Sequence, residues 1–171
     1  MLNIVCKALG SVLVLGCSIA VGFGYAQSLM QKRDCLKLMI RYWRAFAMIL
    51  ESSGDEPSQI AAELGRSLEF LHFPFAVELR SQAISRPDFG AVLCCVVEDL
   101  PDLSSTVKEI LLPLGEVIGR SSMENQIRVL QNAVSSLQRE QEFWEETTQK
   151  RGGLARRLGI LGGVLLVIIL L

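Results

Sequence analysis

Apolar residues recur at helical spacing through most of the chain. Between residues 36 and 50 they follow one another at intervals of three and four, which places them on one face of an α-helix. This helix is expected to end within 52–57, where Gly54 suits a left-handed cap and Pro57 suits the first turn of the next helix. The inward positions are Leu36, Met39, Ile40, Trp43, Phe46, Ala47 and Leu50.

Four more helices are predicted before residue 119. Ser104 or Ser105 can cap the last of them, and Pro113 inside it predicts a kink. The apolar run 91–97 is flanked by helical patterns, with a short strand as the alternative. The expected apolar positions are Ile60, Leu64 and Leu68; Phe75, Val77, Leu79 and Ile84; Phe89 to Leu100; and Val107, Ile110, Leu111, Leu114 and Ile118.

The sixth helix has the most regular pattern. Its apolar positions alternate at four and three residues, which fits either a coiled coil or a bundle helix. Because the repeat lasts only three heptads, a bundle helix with one solvated face is favoured, with Ser122 as its cap. The positions are Met123, Ile127, Leu130, Val134, Leu137, Gln141 and Trp144. The fold class predicted is therefore all-α, an antiparallel bundle of about six helices.

An antiparallel arrangement sorts the turns into two groups. The turns at 52–57, 85–88 and 119–122 should lie at one end, and those at 71–74 and 100–103 at the other. The first group is rich in charged residues, so we expect it to form the surface on which a soluble partner docks. The candidate partner-binding residues are Asp55, Glu56, Arg86, Asp88, Glu116 and Arg120.

Both ends of the chain have the pattern of membrane segments. The 23 residues from Leu9 to Gln31 carry no charge, and as a helix they would span about 35 Å, against about 30 Å of bilayer hydrocarbon. The last fourteen residues, 158–171, would rise only about 21 Å. We expect an N-terminal transmembrane helix over 1–31, a cytosolic bundle over 32–153 and a C-terminal membrane anchor over 154–171, whose depth stays open.

A cleaved signal peptide is the alternative for the first segment. Residues 14–17 resemble a lipoprotein cleavage site, ending at Cys17. The apolar run continues to Ala26, which is too far for a signal core, so a retained anchor is favoured.

The sign of the local net charge changes with distance along the chain from these segments. From Glu51 to Gln149 there are 17 acidic and 7 basic residues, a net charge of −10, whereas the residues beside the apolar ends are mainly basic. Lys and Arg mark the cytoplasmic side of membrane helices, so the domain between the segments should be cytoplasmic. The basic residues either set this topology alone or also rest on anionic lipid. The candidate membrane-facing residues are Lys32, Arg33, Lys37, Arg41, Arg151, Arg156 and Arg157.

Residues for catalysis are scarce. The single histidine, His72, has no activating motif around it, and the sequence has no Walker loop, GxGxxG or HExxH motif. The five cysteines form no CxxC pair, and the glutamates of 140–146 suit a solvated helix face better than a metal site. We expect no enzyme activity, no cofactor, no metal and no small-molecule substrate, and the acidic domain argues against nucleic acid.

The chain resembles the stage III sporulation protein AB family of endospore-forming bacteria over its whole length. The strongest match is Leu114-Gly115-Glu116-Val117-Ile118-Gly119, which is similar to the family's F/L-G-E-x-L-G turn. Leu9-Gly10, Gly22-Phe23 and Gln126 also agree with family positions. The chain departs from the family at Ser122, where an Asp is usual, and at 150–153, where two glycines replace a polar stretch.

The resemblance implies a non-enzymatic component of the secretion-like apparatus that links mother cell and forespore. Its cytosolic domain would be a six-helix bundle similar to the cytoplasmic domains of the platform protein of type II secretion. It would act in the mother-cell membrane around the forespore, with a secretion-type ATPase and other stage III proteins as partners. A generic membrane-tethered adaptor unrelated to sporulation is the alternative.

Overall fold

The computed structural model describes the backbone of residues 27, 30–86, 88–101 and 103–170, with side chains as far as residue 147. In these residues the fold is all-α, without a strand, and it consists of six helices, which confirms the predicted all-α class and the predicted number of helices. The helices are α1 (30–53), α2 (Pro57–Leu64), α3 (Pro74–Ala83), α4 (Phe89–Asp99), α5 (Ser105–Val117) and α6 (Met123–Leu170).

The chain divides into two compact units. The bundle unit is Asp34–Gln141, and the terminal unit combines Met1–Arg33 with Glu142–Leu171. Among the described residues, no helix combines the length and hydropathy that a membrane crossing requires. The predicted N-terminal span lies almost wholly outside these residues, and the predicted C-terminal anchor is helical backbone of α6 as far as Leu170.

The centre of the bundle unit is an aromatic stripe on α1. The side chains of Tyr42, Trp43 and Phe46 have no exposed surface. The Tyr42 ring meets Phe75 of α3 edge-on at 5.6 Å between centroids, and the Phe46 ring stacks on Phe89 of α4 at the same distance. Aromatic rings bury large areas and favour these geometries, so α3 and α4 are oriented by their contacts with α1.

The start of α2 follows local rules that the sequence displays. α1 ends at residue 53, and Gly54 has the left-handed φ of 66° that glycine accepts without strain. Pro57 is the first residue of α2, where its missing N–H costs no helical hydrogen bond. Both predictions for this turn are confirmed.

The end of α2 was predicted wrongly. The helix ends at Leu64 instead of near 71, and Leu68 is exposed instead of inward. The reason is tertiary, because a methyl group on Gly65 would lie 2.8 Å from Arg80 Cβ, so α3 packs directly against this glycine. Ser67 Oγ then donates a hydrogen bond to the carbonyl of Leu64, which closes the chain into a turn.

Other predicted positions differ in burial. Ile84 is exposed because α3 ends at Ala83, one residue earlier. Met123 is also exposed, at the first turn of α6. A further group is half-buried, on the margins of otherwise buried helix faces: Ala47, Val77, Ile110 and Ile127. α4 covers the whole run 91–97, so the alternative strand is wrong.

The last helix joins the core in the way expected of a bundle helix. Leu130, Val134 and Leu137 of α6 are buried in the bundle unit, while Glu124 and Arg139 are exposed. Ser104 caps α5 by accepting a hydrogen bond from the N–H of Val107, as predicted. The helix continues through Pro113 to Val117.

Two glycines bring α4 and α5 into backbone contact. A methyl group on Gly115 would lie 2.8 Å from the carbonyl oxygen of Gly90, and one on Gly90 would overlap the carbonyl oxygen of Gly115. Neither helix can therefore carry a side chain at this crossing. Gly115 belongs to the sequence 114–119 that carries the family resemblance, so one element of that motif serves helix packing.

Replacing Gly90 by alanine tests this contact, because helix propensity and helix packing predict changes in stability of opposite sign. Helix propensity alone would make Gly90→Ala stabilising by about 1 kcal/mol. The overlap with Gly115 should reverse this and lower the free energy of unfolding by about 1–3 kcal/mol, as overpacking does. Thermal melting of the full chain in detergent, followed by circular dichroism, measures the change. Ala91→Ser, on the exposed side of the same turn, is the control, and a stabilised Gly90→Ala protein would contradict the packing described.

Candidate partner-docking surface

Three turns of the bundle unit meet at one end, which we call the far end: residues 53–56, 84–88 and 118–122. A methyl group on Gly54 would lie 3.6 Å from Met123 Cε, and one on Gly119 would lie 3.9 Å from Pro57 Cγ. The ion pair of Asp88 with Arg120 joins the second of these turns to the third. The predicted grouping of these turns is therefore found in the structure.

Asp88 serves two elements at the far end. One carboxylate oxygen accepts a hydrogen bond from the N–H of Ala91 and so caps α4. The other accepts a hydrogen bond from the Arg120 guanidinium. The backbone hydrogen bond, and after it the bond from Arg120, hold the pKa of the Asp88 carboxyl below its ordinary value.

The turn before α6 is held by a buried side chain. Gln126 is only 8% exposed, although it is polar. Its Oε1 accepts a hydrogen bond from the N–H of Gly119 at 3.1 Å, and its Nε2 donates to the carbonyl of Ser121 at 2.7 Å. Gly119 has a φ of 79°, so glycine is needed there and the glutamine fixes the turn that it makes.

Gln126 is the main residue whose role the sequence did not reveal. The pattern suggested a cap at Ser122, and Ser122 does directly precede α6. The sequence showed only a glutamine in the first turn of a helix that follows a glycine turn. A glutamine at such a position can equally well be exposed to solvent.

All six predicted partner-binding residues are exposed and lie in or beside the turns of the far end. Arg86 Nη1 lies 3.7 Å from Cys95 Sγ, so this arginine lies over α4. Glu116 is in the last turn of α5, four residues before Arg120. The far end thus presents carboxylates and guanidinium groups side by side. The complete set is Asp55, Glu56, Arg86, Asp88, Glu116 and Arg120.

The predicted membrane-facing residues are spread over both units. In the terminal unit the Lys32 ammonium lies 5.5 Å from the centroid of the Trp144 ring, a cation–π geometry that joins the start of α1 to α6. In the bundle unit Arg41 pairs with Glu69 at 3.3 Å, and Lys37 is half-buried. Three further residues of this set lie in the part of α6 described by backbone alone: Arg151, Arg156 and Arg157.

Groups suited to catalysis do not converge in the described residues. No cluster of three His, Cys, Asp or Glu side chains there has the geometry to hold a metal ion. His72 is exposed in the turn between α2 and α3. Burial raises the pKa of the Cys94 thiol, and the nearby Glu98 charge adds to this, so the thiol stays protonated at neutral pH.

Fold and surface together define a class: an all-α helical bundle with a charged end made from three inter-helix turns. The family model of stage III sporulation protein AB matches residues 7–171, and the chain belongs to this family. Comparisons with curated proteins and with solved structures found no significant match. A role in stage III of sporulation follows from this membership.

The Asp88–Arg120 pair gives a pH-dependent prediction. Asparagine caps a helix as well as aspartate does, so Asp88→Asn removes mainly the charge. Because the folded pKa of Asp88 is lowered, its contribution to stability is present above its unfolded pKa of about 3.9 and is lost as the pH falls through the folded value.

Asp88→Asn should therefore melt at a lower temperature than the unchanged chain at pH 7, and the difference should be smaller at pH 3, below the unfolded pKa. Arg120→Gln should produce a similar loss, and adding it to Asp88→Asn should have little further effect. Thermal melting of the four proteins at both pH values measures this. A difference that persists unchanged at low pH would show that the charge of Asp88 is not what joins the two turns.

Proposed function

We propose that this chain is a non-enzymatic membrane platform of the stage III sporulation apparatus, with the far end of its bundle as the docking surface for a soluble stage III protein. The main observation in support is that three turns and six exposed charged residues lie together at one end of the bundle unit. Family membership supports the assignment to sporulation.

The form of the far end supports docking rather than catalysis. Its turns are rigidly held by the Gly54 and Gly119 conformations, by Gln126 and by the Asp88–Arg120 pair. A surface that is already ordered loses little conformational entropy on binding. Its mixed charges favour a partner with complementary charges, and such surfaces determine specificity and association rate more than affinity.

The chain's termini support attachment to a membrane at the other end. The chain enters the bundle unit at Asp34 and leaves it at Gln141, and both neighbouring segments lead to the apolar ends of the sequence. In the proposed arrangement the residues 1–31 cross the mother-cell membrane, the C-terminal segment anchors beside them, and the bundle lies in the cytoplasm. The secretion-type ATPase of the apparatus is the expected partner at the far end.

Charge reversal on α5 tests the docking surface with a matched control. Glu116 and Glu109 are both exposed and lie seven residues apart, on the same face of one helix. Only Glu116 is at the far end. In a sporulating strain that lacks the gene, a copy with Glu116→Lys should recover stage III proteins roughly tenfold less well in pull-downs, the effect of one lost interface hot spot. Spore yield should fall with it.

Glu109→Lys should behave like the unchanged chain in both measurements. Equal losses with the two variants would point to a general effect of charge and would contradict docking at the far end. Normal sporulation of the deletion strain would contradict the sporulation role itself and would leave a general membrane-tethered adaptor as the reading of the fold.

A further inference from the structure

The turn between α2 and α3, residues 65–72, exposes leucine side chains on a hydrogen-bonded backbone. Leu68 is 91% exposed, the most of any large apolar side chain that the structure describes, and Leu71 is exposed as well. The backbone is closed by hydrogen bonds from the N–H of Phe70 to the carbonyl of Ser67 and from the N–H of Phe73 to the carbonyl of Phe70. Exposure of the leucines therefore belongs to an ordered turn.

Two buried rings hold this turn against the bundle. Phe70 is 2% exposed, and its ring meets that of Tyr42 edge-on at 5.3 Å between centroids. Phe73 is buried beside Phe75 at 5.8 Å. The turn thus places its aromatic residues inward and its two leucines outward.

The turn lies toward the end at which the chain enters the bundle unit. It contacts α1 at neighbouring positions, through the pair Arg41–Glu69 and through Tyr42. Tyr42 is eight residues after the start of the unit at Asp34 and twelve before Gly54 of the far end. At the helical rise of 1.5 Å per residue, these separations are about 12 Å and about 18 Å.

Exposed basic residues outnumber exposed acidic ones near the leucines. Between residues 32 and 44 the chain has five basic residues and one acid. Arg41 and Arg44 are exposed on α1, three residues apart and so on one face, and Arg66 is exposed two residues before Leu68. The exposed acids in or beside the turn are Glu63 and Glu69, and Glu69 is neutralised by its pair with Arg41. Exposed apolar side chains next to unpaired basic groups are typical of protein surfaces that insert into an anionic lipid interface.

We propose that the turn 65–72 inserts Leu68 and Leu71 into the anionic leaflet of the membrane to which the chain is attached. This inference rests on the proposed membrane attachment and adds to it a second contact, made by the bundle itself. It would fix the rotation of the bundle about the point where the chain enters the membrane, and so direct the far end away from the lipid.

Site-specific photocrosslinking identifies what touches Leu68. The full chain carrying p-benzoylphenylalanine in place of Leu68 is reconstituted in vesicles of phosphatidylglycerol and phosphatidylethanolamine, floated on a density gradient and irradiated. Mass spectrometry then identifies the adduct. The matched control carries the same residue in place of Ile84, an aliphatic side chain of the far end that is 64% exposed.

We expect lipid adducts at position 68 to exceed those at position 84 by roughly tenfold or more, the ratio that burial of one leucine side chain produces. Equal lipid adducts at the two positions, or an adduct of position 68 with a second copy of the chain or another protein, would overturn the insertion. A chain that does not float overturns the membrane attachment together with it, whereas a floating chain without a lipid adduct at 68 overturns only the insertion.

Discussion

The bundle depends on the burial of the aromatic stripe of α1. Tyr42, Trp43 and Phe46 are fully enclosed, and the surrounding elements orient around them through ring contacts. This arrangement has a cost, because Tyr42 Oη and Trp43 Nε1 find no hydrogen-bond partner among the described residues. An unsatisfied buried polar group costs about 1–3 kcal/mol. Burial of the large apolar area of the rings offsets that cost, so ring packing outweighs the two missing hydrogen bonds at this centre.

From this centre the two ends of the bundle unit acquire different properties. Toward the far end, glycine turns, Gln126 and the Asp88–Arg120 pair produce an ordered, charged surface. Toward the end where the chain enters, the turn after α2 combines basic groups with exposed leucines. The proposed platform role requires such a difference, since one end would meet lipid and the other a soluble partner. The family to which the chain belongs acts in sporulation, where the proposed complex forms at a membrane.

Much of the fold could be predicted because its determinants are local. The Gly54–Pro57 turn, the Ser104 cap and the apolar period of α6 each depend on a few neighbouring residues. Leu68 was predicted wrongly because the contact that ends α2, between Gly65 and Arg80, joins residues fifteen positions apart. The contact of Gly90 with Gly115 could not be predicted either, because it also joins residues that are far apart in the sequence. The far-end residues could be grouped from helix direction alone, but the pairing of Asp88 with Arg120 depends on the tertiary placement of their two turns.

The most direct measurement is an electron cryomicroscopy structure of the stage III complex that contains this chain in a lipid bilayer. The account predicts that another stage III protein contacts the far end, at Glu116 and around the Asp88–Arg120 pair, and that the turn carrying Leu68 faces lipid. A partner protein seated on the Leu68 turn, with the far end open to solvent or turned toward the bilayer, would contradict it.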